Sequence, residues 1–310
     1  MSEINYINFF KRHLNISWLR PENVLCDTIT SVLINRFKIA EPSLDLGCGN
    51  GIFSFITAGG DFSIDYDNYI NIDSTKNFWK NEDIYDACKI KNVSRFIIKK
   101  PSYFFTVGLD NKVNLLNQAK SLNFYQKIFK HDANSALPFE DGQFKTVFSN
   151  IIYWLRDLKK SLRYLYNILD NEGNAILCLP NTKFLTYCTS YNWRKEKSEL
   201  LHLLNRGRSD CMQWVISYKD FSSIAKKIGF DIIYHSYYLS PLTLKIWDVG
   251  LRPLSPVLIK MANKLNQENR RNIKLEWIDI VLKFLMPLYE IEKNSKKQGG
   301  FHFFVLKKAY

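Results

Sequence analysis

Residues 43–56 read Ser43-Leu44-Asp45-Leu46-Gly47-Cys48-Gly49-Asn50-Gly51-Ile52-Phe53-Ser54-Phe55-Ile56. A short apolar strand runs into a loop with glycine at every second position, and the loop opens an apolar run with the length of a helix start. Glycines at 47, 49 and 51 let the chain turn with positive φ and leave no Cβ between backbone and ligand. A strand-to-helix turn of this kind, at the carboxyl edge of a parallel sheet, is where α/β proteins hold nucleotides. The spacing is G-x-G-x-G rather than the G-x-G-x-x-G of dinucleotide binders, and no Lys-Ser/Thr pair follows, which excludes a Walker-type phosphate loop.

The rest of the chain is read outward from that turn. Two acids compete to end the next strand. Asp73 stands 22 residues beyond Gly51, in Tyr69-Ile70-Asn71-Ile72-Asp73, and Asp110 stands 59 residues beyond it. Asp110 has the stronger context, because Tyr103 to Val107 is a buried-strand run, Gly108-Leu109-Asp110 ends it, and a helix with Val113, Leu115, Leu116, Ala119 and Leu122 follows. Asp110 is therefore the expected strand end, and residues 60 to about 102 become an insertion, expected to form a lid or substrate wall. Lys127 to Ala133 reads as the third strand and Thr146 to Asn150 as the fourth, after the turn signal Asp141-Gly142. A helix over 158–169, a turn at Asp170 to Gly173 and a strand over 175–179 complete the repeat. Four strand-then-helix units in order predict a parallel sheet with right-handed crossovers. Ser217 to Phe230 reads as a helix, 231–239 as a sixth strand and 301–306 as an antiparallel closing strand. Two helices fill residues 1–40, the second opened by Pro21-Glu22.

Taken together, these residues resemble the class I S-adenosylmethionine-dependent methyltransferases of the methyltransferase-11 type, whose first motif is an acid, one residue, then G-x-G-x-G. The resemblance spans 41–180 motif by motif, and 213–239 and 300–308 by strand pattern. It implies a Rossmann-like, seven-stranded, mainly parallel α/β sheet with an antiparallel last strand and helical insertions, in one domain over 1–310. Within it, 41–180 is the cofactor core and 181–310 a substrate half, capped by about 240–299. It also implies S-adenosylmethionine as cofactor. The Gly47, Cys48, Gly49 and Gly51 loop would take its methionine and sugar portions. Asp45 would place the amino group or stiffen the loop, and Asp110 would take both ribose hydroxyls, with Asp73 the alternative. Asp132 and the backbone N–H of Ala133 would read the adenine. Asn150 and Ile151 would line the channel near the methyl group.

The acceptor is less legible. Ser149-Asn150-Ile151-Ile152-Tyr153-Trp154 lacks the prolines of exocyclic-amine methylation sites, and no Pro-Cys pair exists for cytosine C5 chemistry. His131, Tyr153, His202 and His235 are candidate bases, each with a packing role as the plainer reading, so no catalytic base is assigned. From 181 to 212 the chain is polar and aromatic, with Tyr187, Tyr191, Trp193, Arg206 and Arg208.

Charge divides unevenly. Residues 1–150 carry 17 Lys/Arg against 16 Asp/Glu, whereas 151–310 carry 26 against 14. Compositional drift would affect both halves, so an anionic partner (phosphorylated substrate, acidic glycan, lipid head group or nucleic acid) stands beside it. Between strands six and seven, a helix over 257–265 precedes an apolar stretch from Trp277 to Tyr289 broken by Pro287. Its face of Trp277, Ile278, Val281, Leu282, Leu285 and Leu288 reads as a cap helix on the sheet, or as peripheral membrane contact through 240–299. The six cysteines show no metal-ligand spacing, and no targeting or membrane-spanning pattern appears, which together lead us to expect a cytoplasmic protein without a metal. Methyl transfer to a small-molecule, glycan or lipid-linked acceptor is the expected function; an RNA methyltransferase and a non-catalytic cofactor-binding regulator are the alternatives.

Overall fold

The computed structural model describes residues 6–70, 72, 92–192, 205, 212–295 and 298–309. Seven strands form the central sheet in the order β5-β4-β1-β6-β7-β9-β8. They are β1 (Ser43–Leu46), β4 (Phe105–Asp110), β5 (Tyr125–Lys130), β6 (Phe144–Ser149), β7 (Leu169–Pro180), β8 (Phe230–Tyr238) and β9 (Phe301–Lys308). Parallel ladders join β5 to β4, β4 to β1, β1 to β6 and β6 to β7, while β9 runs antiparallel between β7 and β8. This is the Rossmann-like arrangement that the resemblance implied, and its parallel part is what the strand-and-helix pattern predicts. The chain leaves β1 for β4 on one side and returns to β6 on the other, so β1 flanks the switch point where α/β sheets bind ligands.

Each face of the sheet carries a layer of helices. On one face pack α1 (Tyr6–Ser17), α2 (Pro21–Ile34), α3 (Ile52–Thr57) and α4 (Val113–Ser121), around Phe10, Leu14, Val24, Leu25, Phe55 and Phe124. On the other pack α5 (Leu158–Ile168) and, after two short helices α6 (Phe184–Tyr187) and α7 (Thr189–Asn192), α8 (Tyr218–Ile228). Leu158, Leu162 and Leu165 of α5 and Phe221 and Ala225 of α8 face inward at helical spacing and are fully buried. Helix α8 is capped as its sequence predicts: the Ser217 side chain accepts from the Asp220 amide, and Gly229 ends the helix at φ 109°.

Several boundaries differ from the sequence reading. The third strand begins at Tyr125, which pairs with Phe105, and ends at Lys130, so Asp132 and Ala133 follow the strand instead of closing it. The turn at 170–173 bulges out of β7: Phe144 pairs with Leu169 but Thr146 with Asn174, and the Glu172 amide donates to the Asp170 carboxylate. Insertion 60–102 contributes a two-stranded hairpin, β2 (Asp61–Phe62) with β3 (Ile97–Lys99). Its stems leave from the end of α3 and re-enter at the start of β4, where Ser102 donates twice to the Ala58 carbonyl. The insertion's centre, on which the lid expectation rests, falls on 71 and 73–91, outside the described residues.

The region 240–299 is helical: α9 (Pro241–Val249), α10 (Ser255–Ala262) and α11 (Gln267–Asn294). Pro287 does not break the last of these, which runs 28 residues through it. Proline there forfeits its own amide bond and crowds the Lys283 carbonyl, but the packing on either side holds the helix together, since Leu285 and Tyr289 are buried in the core. Tyr289 stacks on Tyr6 with centroids 4.2 Å apart, and Ile278, Val281, Leu282 and Leu288 also lie against the core. Near its start, α11 meets the insertion through a buried bidentate pair between Arg270 and Asp67. No described helix is long and apolar enough to cross a membrane.

Candidate functional site

Strand β1 ends at Leu46, and the glycine loop begins there by crossing to its neighbour: the amides of Gly47 and Cys48 both donate to the Leu109 carbonyl of β4, at 2.8 and 3.0 Å. One step further, the Gly49 amide donates to Oδ2 of Asp110 at 2.9 Å, and the Lys112 amide donates to Oδ1 at 2.9 Å. Asp110 thus ends the strand beside β1, half-buried, with its carboxylate clamped against the loop. Asp73, the competing acid, lies outside the described residues.

All three loop glycines have positive φ, but they serve different purposes. A Cβ on Gly47 would lie 2.1 Å from Cγ1 of Ile151, so Ile151 packs directly under the loop. A Cβ on Gly51 would lie 2.8 Å from Cε2 of Tyr125. Only Gly49 faces open space, its nearest neighbour being Leu115 at 3.9 Å. Glycine at 47 and 51 therefore answers to the protein's own packing, and glycine at 49 leaves room for a ligand.

Asp45 is 2 % exposed and makes no approach to the open side of the loop. The Tyr125 hydroxyl donates to its Oδ2 at 2.7 Å, and Ser54 also bonds to it. Burial pushes its carboxyl up to about 6, against the lowering effect of those two bonds. Of the two roles expected for Asp45, this position serves the stiffening of the loop. Burial, followed by the neighbouring charges of Asp45 and Asp110, also raises the Cys48 thiol well above the ordinary thiol range, leaving it unreactive.

Tyr125 itself was not singled out from the sequence. Its signal was Gly108, a glycine inside a strand, which marks a close approach. A Cβ there would lie 2.8 Å from Cδ1 of Tyr125, so Gly51 and Gly108 together make a slot for the ring that carries its hydroxyl to Asp45. Ser149 was missed as well; its hydroxyl donates to the Leu46 carbonyl at 3.0 Å and ties the end of β6 to the end of β1.

Two strands over from the glycine loop, about 10 Å away, Asp132 follows β5 and is exposed. The amide and side chain of Asn134 donate to its Oδ1 and, with the backbone bond contributing most, hold the carboxyl below its ordinary range. Asn150 follows β6 at the same edge as the loop. Beyond it the carboxyl end of β7 and the adjoining amino end of antiparallel β9 carry aromatic rings: Tyr153 meets Phe301 edge-on at 6.0 Å, and Phe184 meets Phe301 at 5.5 Å and Trp247 at 6.0 Å.

The remaining base candidates fall elsewhere. His131 bonds to the Ala136 carbonyl at 2.9 Å. His235 is on the edge strand β8, four strands from β1, where its Nε2 meets Nδ1 of His302 at 2.9 Å. Burial lowers both rings to about 4, so the pair is neutral near pH 7. His202, Trp193, Arg206 and Arg208 lie outside the described residues, as does the side chain of Tyr191.

S-Adenosylmethionine fits these groups. Each Asp110 oxygen accepts one backbone N–H and retains lone-pair capacity for a ribose hydroxyl. Gly49 keeps the loop open on the same side, and Oδ2 of Asp132 has no partner among the described residues.

Residues 94–177 match a family model described as a methyltransferase domain. No curated protein sequence matches the chain. Among solved structures, a SAM-dependent methyltransferase from Thermotoga maritima, described as a possible histamine N-methyltransferase, is 11% identical. It aligns over 94% of this chain and 92% of its own with a TM-score of 0.47. A SAM-dependent methyltransferase from Archaeoglobus fulgidus is 15% identical, covering 91% and 94% with a TM-score of 0.45. A Haemonchus contortus phosphoethanolamine N-methyltransferase, solved with phosphomonomethylethanolamine and S-adenosylhomocysteine, is 15% identical over 97% of this chain and 61% of its own, with a TM-score of 0.44.

Proposed function

We propose that this chain, which carries a class I S-adenosylmethionine-dependent methyltransferase domain, transfers a methyl group to a small-molecule, glycan or lipid-linked acceptor that bears negative charge. The observation that carries the reading is the Asp110 carboxylate, held by the Gly49 and Lys112 amides at the end of the strand beside the glycine loop. When bound, the cofactor supplies the electrophile, a methyl group on a sulfonium. This chain's residues bind it, align the acceptor and exclude water. Asp110 would accept the ribose hydroxyls, Asp132 and the Ala133 amide would read the adenine, and Gly49 would leave space for the methionine portion. Ile151, packed under Gly47, would set the floor of the channel, with Asn150 beside it. The aromatic cluster of Tyr153, Phe301 and Phe184 would wall the acceptor side.

No base is part of the proposal: an amine or carbanion acceptor needs none, and a hydroxyl acceptor would. The basic second half supports negative charge on the acceptor. For a lipid-linked acceptor, the exposed side chains of α10 and α11, Val257, Met261, Ile280 and Phe284 among them, would rest on the membrane surface.

Calorimetric titration with S-adenosylhomocysteine tests the reading. Wild type should bind at micromolar concentration, and Asp110→Ala should lose about 2–4 kcal/mol of that affinity, since two hydrogen bonds to a charged group are removed. Undiminished binding by Asp110→Ala would return the ribose to Asp73. No binding by wild type would overturn the methyltransferase reading.

A further inference from the structure

A second candidate site lies away from the glycine loop. A cavity of about 290 Å³ lies between the insertion and the start of α11 and shares no lining residue with the loop, Asp110 or Asp132. From α11 it is lined by Gln267, Arg270, Arg271 and Lys274, spaced three, four and seven residues from the first, so one helix face forms one wall. The insertion supplies the other, including Asp65, Asp67 and Arg95.

Four cations therefore line the cavity against two carboxylates. One carboxylate is already spent: Asp67 accepts a bidentate bond from the buried Arg270 guanidinium and a further bond from the Trp18 indole. At the floor, the Lys274 side chain is 1 % exposed, and its ammonium donates to the carbonyls of Ile64 and Tyr66 at 2.7 and 2.8 Å, leaving a third N–H. Burial lowers that ammonium to about 8, with Arg270 adding to the effect and Asp67 opposing it. At the mouth stand Arg95, over the Phe96 ring at 4.5 Å, and Arg271; neither forms an ion pair among the described residues. The positive end of the dipole of α11, a 28-residue helix, lies on the same side.

We propose that this cavity binds a phosphate-bearing ligand, held by the Arg95 and Arg271 guanidiniums at the mouth and the Lys274 ammonium at the floor. Guanidinium forks match phosphate oxygens two at a time, and a dianion balances the positive charge left after Asp67 and Arg270 neutralise each other. The volume is just under that of drug-sized sites, which suits a phosphate with a short organic stem.

The full chain is titrated with inorganic pyrophosphate, and separately with vesicles of phosphatidylcholine with and without phosphatidic acid. The comparison includes Arg95→Ala, Arg271→Ala and, as a control, Lys159→Ala, an exposed lysine on α5. Pyrophosphate binding that weakens at least tenfold in both arginine variants, but not in the control, establishes the site for a soluble phosphate. Binding confined to phosphatidic acid vesicles, lost in the same two variants, establishes it for a lipid head group. No binding to either probe, or binding equal in all variants, overturns the proposal. S-Adenosylhomocysteine affinity, measured on each protein, reports separately on the fold and on the glycine-loop site.

Discussion

The three loop glycines look equivalent in sequence, yet their surroundings differ, and so should their substitutions. Gly47→Ala must push its Cβ into Ile151 and Gly51→Ala into Tyr125, both at left-handed φ, so each should lower the melting temperature by several degrees. Gly49→Ala meets only open space and carries the strain of φ 55°, about 1–2 kcal/mol. It should fold while losing tenfold or more in S-adenosylhomocysteine affinity, because the new methyl group occupies ligand space. Thermal denaturation and calorimetry on the three variants separate these effects. A second prediction concerns Tyr125, whose hydroxyl is a donor to a buried carboxyl raised to about 6. Above pH 6 that carboxyl is ionised, and Tyr125→Phe strips a charge-assisted bond worth roughly 1.5–3 kcal/mol. Toward pH 5 the carboxyl takes up a proton in the folded state before it does so in the unfolded one, and the loss should fall to about 1 kcal/mol. Urea denaturation at pH 8 and pH 5 measures both values. A loss that does not depend on pH would mean that Asp45 does not titrate between them.

At the scale of elements, the sheet was legible because each of its parts carries its own local pattern. Buried strands run into glycine or Asx turns and then into helices of 3.6-residue period. Asp110 could be preferred over the nearer Asp73 from strand context alone, and the structure places Asp110 on the strand next to β1. The Tyr125 slot was not legible, since it joins residues from three segments that touch only after the sheet has formed. Nor was the continuity of α11, for the energy that carries a helix through proline is tertiary: Leu285 and Tyr289, on either side of Pro287, are both buried. Pro287 itself is exposed and leaves the Lys283 carbonyl without its helical amide. Pro287→Ala restores that bond and should stabilise the protein by about 1–3 kcal/mol, the interior-helix difference between the two residues. Chemical denaturation gives the number; a destabilised variant would show that the packing of Tyr289 on Tyr6 and Phe10 requires a bend at this point.

Across the whole molecule, charge and chemistry are unevenly placed. The candidate-site aspartates Asp45, Asp110 and Asp132 belong to the electrically balanced first half, while the second half carries 26 basic residues against 14 acidic. Among the described residues, Lys283–Asp279, Lys293–Glu290 and Lys307–Glu172 are surface pairs, which contribute little to stability. On the proposed function the excess acts as a field, felt more by a charged acceptor that diffuses in than by a cofactor held through short, fixed contacts. Raising salt from 50 to 500 mM should thus increase the acceptor KM severalfold, with kcat and S-adenosylhomocysteine affinity changing by less than a factor of two. The size of the salt effect discriminates between acceptors. A small mono- or dianion carries no condensed counterion atmosphere and is only screened, so log KM should rise with log salt at a slope below about 1. An RNA acceptor contacting six or more phosphates would give a slope of roughly 4 or higher, together with nucleic-acid binding at low salt in the absence of cofactor. A slope near zero would mean that the acceptor is neutral, and would leave the basic surface to the phosphate cavity at α11 and to compositional drift.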